Sequence, residues 1–307
     1  MTDLKRNDTS GRHRHGSARL EWFNLAGLSW RELARKTWKE AQNDAVLNRA
    51  AELAFWFLLG FFPMLLFILE ISTAVASGAQ NMLMGYLNSV LPGDTAKLVG
   101  GILTQTTGNG RAWLPLLFAL WSASSATDGL IETLNAIYDL NESRPIWKRR
   151  LLALVLAVGM GVLIVVALAI VIYGNVVVSW IGSGSVASLW KIAHYPAAVC
   201  LLILALLLVY RYAPDVDEQK WKWLLPGSII ASFTWLVTSF LFRLYVDHFS
   251  NFGLLYGSLG TLIILMFWFY LSGIVILVGG EINAIIEATA AQRHVPGAKA
   301  SGQRSLA

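Results

Sequence analysis

A chain of 307 residues with 24 Lys and Arg, 19 Asp and Glu, 56% hydrophobic residues and only 14% charged ones has a mean hydropathy of +0.56. That balance excludes an ordinary soluble domain, which would have to expose far too much apolar surface to water. The single cysteine, Cys200, excludes a disulfide framework and any CxxC metal or redox motif.

In chain order, residues 1–28 are polar, rich in Ser, Gly, Arg and His, and predict a disordered arm. Ser29 and Glu32 then have the spacing of a capping box. Trp30, Leu33, Thr37, Trp38 and Ala41 follow at helical intervals, opposite Arg31, Arg35, Lys36 and Lys39. This predicts an amphipathic helix over 29–50 lying in the headgroup region, tryptophans toward lipid and cations on phosphate. Packing of the same helix on the protein's own loops is the alternative.

Six apolar runs predict membrane spans over about 53–75, 113–138, 151–181, 192–211, 223–245 and 252–281, within a transmembrane domain of residues 51–286. At ~1.5 Å per residue each can cross hydrocarbon about 30 Å thick. The second run is the least apolar, since it holds Pro115 and Asp128. Residues 77–112 are too long for a turn and are interrupted at Leu91-Pro92-Gly93-Asp94, which predicts an extracytoplasmic helical hairpin or a re-entrant pair. Residues 287–307 predict a disordered tail. The expected fold class is therefore all-α, a polytopic six-helix bundle.

The basic residues support this count. Ten lie in the arm up to Arg49, four between Asp139 and Arg150, three between Arg211 and Lys222 and three after Glu281, leaving Lys97, Arg111, Lys191 and Arg243. With six spans these groups fall on one side, and the positive-inside rule makes that side, and both termini, cytoplasmic.

Charged and amide side chains inside spans are the candidates for chemistry, because ionised groups are costly in hydrocarbon. Asp128, Glu132, Asn135 and Asp139 recur at intervals of four, three and four, one stripe of a helix. Glu52, Glu281 and Asn283 fall at a similar depth on the first and sixth spans. The expectation is one inner polar cluster of Glu52, Asp128, Glu132, Asn135, Glu281 and Asn283, able to bind a cation, relay protons or hold a polar headgroup. The alternative is anchorage, with carboxylates paired to Lys148, Arg149 and Arg150. Glu70 and Arg243 form a candidate outer ion pair. Pro63, Pro196 and Pro226 predict kinks, and Gly253, Gly257 and Gly260 a close helix-packing surface. His13, His15, His194, His248 and His294 are dispersed, so no metal site and no cofactor are expected, and soluble-enzyme motifs are absent.

An ordered set of segments resembles the YihY/virulence factor BrkB family of bacterial inner-membrane proteins: LAFWFLLGFFPMLL (53–66), LWSASSATDGLIETLNAIYDL (120–140) followed by RPIWKRR (144–150), YRYAPD (210–215), LLPGSIIASFTW (224–235) and YGSLGTLIILMFWFYLSGIVILVGGEINA (256–284). The resemblance implies a multi-pass inner-membrane protein with six helices and both ends inside, a transporter or an envelope lipid-handling factor. Its expected partners are membrane lipids and an unknown small-molecule or lipid substrate, not nucleic acid, and a homo-oligomer stays open. The competing class is a structural or envelope-interaction protein without transport. An older ribonuclease label in the family is not carried over, since no residue cluster here suits metal-assisted attack on a phosphodiester, and no enzyme activity is expected. Family members tend to carry paired tyrosines and a serine before the first-span proline. Here Phe55, Trp56 and Gly60 stand in that region, so no hydroxyl site is inferred there.

Overall fold

The structure is a computed structural model that describes residues 26–75, 113–181, 185–217, 219–248 and 258–304. Among these residues it is all-helical, with α1 over Trp30–Asn43, α2 over Val46–Val75, α3 over Trp113–Ile137, α4 over Ile146–Ile181, α5 over Ser185–Tyr212, α6 over Trp221–His248 and α7 over Ser258–Gln292. Neighbours in sequence pack on one another from α2 to α7, and α7 returns to pack on α2, so six helices close into a ring. α3 also touches α7, and α1 lies against α7 and α2. The end of the ring carrying α1 and residues 293–304 is called the basal end below.

Five helices are long and apolar enough to cross a membrane, with candidate spans at Val46–Pro63, Ile146–Val171, Ile192–Tyr212, Trp221–Val246 and Leu262–Gln292. α3 is not among them, although its 25 residues would reach about 37 Å as a helix. Ser122, Ser124, Ser125, Thr127 and Asp128 dilute its apolar character, and they are buried against neighbouring helices. Thr127 and Thr133 return their hydroxyls to the carbonyls of Ala123 and Gly129, both at 2.9 Å, which satisfies them without water.

The helices extend past the expected spans at the basal end, because their last turns leave the apolar zone without losing helical propensity. α4 begins at Ile146, directly after Pro145, whose carbonyl accepts from Lys148 and Arg149 N–H at 2.9 and 3.1 Å. α7 runs on to Gln292, eleven residues beyond the expected end, and His294 closes it at φ 55°. Pro63, Pro196 and Pro226 sit inside α2, α5 and α6 without ending them.

The first helix carries its capping box, with Glu32 N–H donating to Ser29 Oγ at 3.3 Å and Ser29 N–H to Glu32 Oε2 at 2.9 Å. It stops at Asn43, however, and a break at Asp44-Ala45, with Ala45 at φ 51°, separates it from α2, so 29–50 is not one helix. Leu33 and Thr37 are buried, Leu33 in a cluster with Trp223, Ile282, Ile285, Ile286 and Ala290, while Trp30 and Trp38 are exposed. The helix thus packs on α7 through part of its apolar face and leaves its tryptophans outward.

Among the described residues, close helix packing involves Gly227 and Gly279. A Cβ on Gly227 would lie 2.2 Å from the Gly279 carbonyl, and one on Gly279 would lie 2.3 Å from the Tyr210 hydroxyl. Tyr210 donates that hydroxyl to the Ile276 carbonyl at 2.6 Å, pinning α5 to α7. Gly253 and Gly257 lie outside the described residues, as does the expected hairpin at 77–112, and Gly260 is buried on α7.

Residues 293–304, expected to be disordered, run across the basal end instead. Trp223 Nε1 donates to the Gly297 carbonyl at 3.0 Å, Gly302 N–H to the Tyr138 carbonyl at 3.0 Å and Asp217 N–H to the Arg304 carbonyl at 2.8 Å. Ser301 hydrogen-bonds Asp139, and Lys299 is buried. A polar composition does not prevent ordering when loop carbonyls and carboxylates supply the partners.

Candidate functional site

The polar residues of the basal end resolve into three groups rather than one cluster. The first is an ion pair on α3 and α4: Arg149 Nε lies 2.7 Å from Asp128 Oδ1, and Arg149 Nη2 donates to Oδ2 at 2.9 Å. Arg150 lies farther, 3.9 Å from Asp128 Oδ2, and donates to Ser125 Oγ at 3.3 Å. Asp128 is thus paired with Arg149 at two points, the arrangement that the anchorage alternative expects.

The second group ties the loops together. Asn135, at the basal end of α3, donates to Glu142 Oε2 at 2.8 Å and accepts the Asp215 N–H at 2.7 Å. Arg144 clamps Glu142 with Nε and Nη2, both at 2.7 Å, and reaches the Ala213 carbonyl at 2.8 Å. Asp215 accepts from Ser143 N–H and Oγ at 2.9 and 2.7 Å and from Arg304 Nη2 at 2.7 Å. Burial alone would raise the pKa of Asp215 and Glu142. The Ser143 hydrogen bonds with the Arg144 and Arg304 charges, and the Arg144 bonds to Glu142 with that from Asn135, outweigh it and hold both carboxyls below their ordinary values. This network joins the α3–α4 connection, the α5–α6 connection and the tail.

The third group lies where α7 meets the α1–α2 break. Glu281 is 1% exposed, and its carboxyl faces that of Asp44 across the α1–α2 break. Burial raises the Asp44 pKa, and the like charges of Asp139 and Glu40 add to it, against Glu281 and Arg49. Glu281 Oε1 has no hydrogen-bond partner. Asn283, half a turn on, is fully buried and accepts the Gly227 N–H at 2.8 Å. One turn farther, buried Glu287 accepts from Gln219 Nε2 at 3.3 Å.

Of the expected cluster, then, Glu281 and Asn283 are buried on α7, Asp128 and Asn135 are committed to partners on α4 and the loops, and Glu52 and Glu132 are exposed. Asp139 leaves the stripe, because α3 ends at Ile137 and Asp139 takes φ 55° in the turn beyond it. Arg243 is exposed on α6, and the side chain of Glu70 lies outside the described residues, as does the expected outer pair with it. Sequence reasoning missed Asp44, Glu287, Asp215 and Arg304. Asp44 stands four residues before Asn48 in a segment read as continuous helix, and only the break places it against α7.

The family model for virulence factor BrkB matches residues 37–303. The chain belongs to the virulence factor BrkB family. It is 33% identical over 247 residues to the ribonuclease-like protein YfkH of Bacillus subtilis, a match covering 78% of this chain and 89% of the relative. It is 23% identical over 256 residues to a UPF0761 membrane protein of Pseudoalteromonas atlantica, covering 80% and 83%, and 35% identical over 80 residues to a UPF0761 membrane protein of Pseudoalteromonas translucida, covering 26% of each chain. No solved structure matches. The family match takes in α2 to α7 and nearly all of the ordered tail, so the basal network apart from Arg304 falls inside the matched region, whereas Trp30 and the capping box lie before it. With relatives named as membrane proteins and five membrane-capable helices, this is a membrane protein of that family.

Proposed function

We propose that this chain is a multi-pass bacterial inner-membrane transporter or envelope lipid-handling protein, with six spans and both termini in the cytoplasm, controlled by proton binding at the Glu281–Asp44 pair. The observation that carries the reading is a buried carboxyl on a membrane-capable helix, Glu281, that faces another carboxyl, Asp44, and has an oxygen without a hydrogen-bond partner. A purely structural charge is expected to sit beside a cation, as Asp128 does beside Arg149. A protonatable pair at the foot of a helix ring suits a coupling element instead, since gaining or losing its proton changes the attraction between α7 and the α1–α2 break. The orientation is supported by the basic residues Arg144, Lys148, Arg149, Arg150, Arg211, Lys220 and Lys222, which gather at the basal end.

The reading assigns no hydrolytic reaction, and the ribonuclease-like name of the Bacillus relative is not transferred. Asp128, Asp215 and Glu142 are each engaged by an arginine, which leaves them poorly suited to activating water at a metal.

A structural reading has one observation of its own, the commitment of Asp128 and Asn135 to pairing. Scanning cysteine accessibility along the Glu281 face of α7, with Cys200 replaced by serine, separates the two. Transport expects a helical-periodic set of positions that react with a water-borne, membrane-impermeant thiol reagent and whose reactivity changes in Glu281→Gln. A uniformly unreactive face would support the structural protein.

A further inference from the structure

We propose that the outward face of α3, between α2 and α4, seats the headgroup of a bilayer phospholipid that carries a phosphate and a primary ammonium. The inference deepens the lipid-handling side of the proposed function and rests on its membrane embedding. Along α3 the positions Phe118, Trp121, Ser125, Asp128 and Glu132 recur at intervals of three and four and so share one stripe. Its upper part is aromatic and exposed: Phe118 and Trp121 are joined by exposed Phe55 of α2, with Trp56 packed edge-on against Trp121 at 5.8 Å. That is a surface for acyl chains.

The lower part is charged and incompletely neutralised. Arg149 pairs with Asp128, but the Arg150 side chain is 46% exposed, and among the described residues its contacts are the 3.3 Å hydrogen bond to Ser125 and the 3.9 Å approach to Asp128. A guanidinium carries five donors, so most of its capacity is directed outward. Glu52 and Glu132 are exposed and have no ion-pair partner among the described residues. Gly129 opens the seat between them, for Glu52 Oε1 lies 3.9 Å from the point its Cβ would occupy.

All three groups lie within two turns of the basal ends of their helices, the depth at which headgroups meet acyl chains. A carboxylate on a lipid-facing surface needs a countercharge, and the bilayer offers one as a headgroup ammonium. A phosphate two carbons away in the same headgroup meets Arg150. An anionic headgroup without an amine would face two carboxylates, and a trimethylated amine offers them no N–H donor. Phosphatidylethanolamine chemistry satisfies both signs at once.

Native mass spectrometry of the full chain in detergent, titrated with phosphatidylethanolamine, phosphatidylcholine and phosphatidylglycerol of matched acyl chains, tests this. The expected result is about tenfold tighter binding of phosphatidylethanolamine than of either other lipid, the size of one charge-assisted hydrogen bond. The preference disappears in Glu52→Gln/Glu132→Gln, and binding of all phosphate-bearing lipids weakens in Arg150→Gln. Equal binding of the three lipids by the wild-type chain overturns the proposal without recourse to any variant, and so does a double variant that keeps the preference. Because no transport is measured, either result leaves the proton-coupling reading to its own test at Glu281.

Discussion

Arg304 holds Asp215 through two contacts, Nη2 to Oδ2 at 2.7 Å and Nε to the backbone carbonyl at 3.3 Å, and so fastens the tail to the connection between α5 and α6. The arginine is 41% exposed and its partner 9%. The pair is therefore screened on one side, and Arg304→Ala is expected to cost only about 1 kcal/mol. Removing residues 296–304 would also take away the Gly297 and Arg304 carbonyls that accept from Trp223 Nε1 and Asp217 N–H, so its loss of thermal stability, read by melting in detergent, should exceed that of the point variant.

The same carboxylates set the acid limit. In the folded chain Asp215 and Glu142 titrate below their ordinary values, so as pH falls the unfolded chain takes up protons first. Their stabilisation is present above the ordinary carboxylate range and is lost as pH drops through the lowered folded values. Asp44 has the opposite sign. Its raised pKa, caused first by burial, means that ionising it weakens the fold, so stability from this group increases as pH falls through its folded value. Asp44→Asn is expected to melt no lower than the wild type at pH 7. Melting curves from pH 3 to 8 check both signs.

Asp128 and Arg149 form a largely enclosed ion pair at the basal end, with side chains 11% and 25% exposed. Truncating either leaves the other charge poorly solvated, and Asp128→Ala or Arg149→Ala should each cost about 2 to 3 kcal/mol. The double variant should cost clearly less than their sum, a coupling that a double-mutant cycle on melting data measures.

Glycine substitutions should divide sharply. Gly227→Ala and Gly279→Ala drive a methyl to 2.2 Å from the Gly279 carbonyl and 2.3 Å from the Tyr210 hydroxyl, and overpacking against backbone should cost about 3 kcal/mol. Gly159→Ala and Gly161→Ala on α4 meet nothing within 4 Å and should be neutral or stabilising by about 0.5 to 1 kcal/mol.

The helices were legible because hydrocarbon selects long apolar runs, and the Ser29–Glu32 box was legible because capping has a fixed spacing. Their basal extensions were not, since past the hydrocarbon the chain needs no apolar residues to stay helical, as in the stretch of α7 from Glu281 to Gln292. The stripe Asp128, Glu132, Asn135 was found correctly on one helix, but periodicity does not say what faces it, and Arg149, Glu142 and Asp215 drew its members apart. Asp215 and Arg304 left no periodic trace at all, because a partner 89 residues away in a loop is set by tertiary closure alone.

Reporter fusions test the central claim most directly, since orientation, proton coupling and the headgroup seat all depend on a ring of spans with its basal end inside the cell. A fluorescent protein that matures only in the cytoplasm should light up at either terminus, and alkaline phosphatase inserted within residues 77–112 should be active. Termini reporting from opposite sides, or an inactive phosphatase in that connection, would contradict the account.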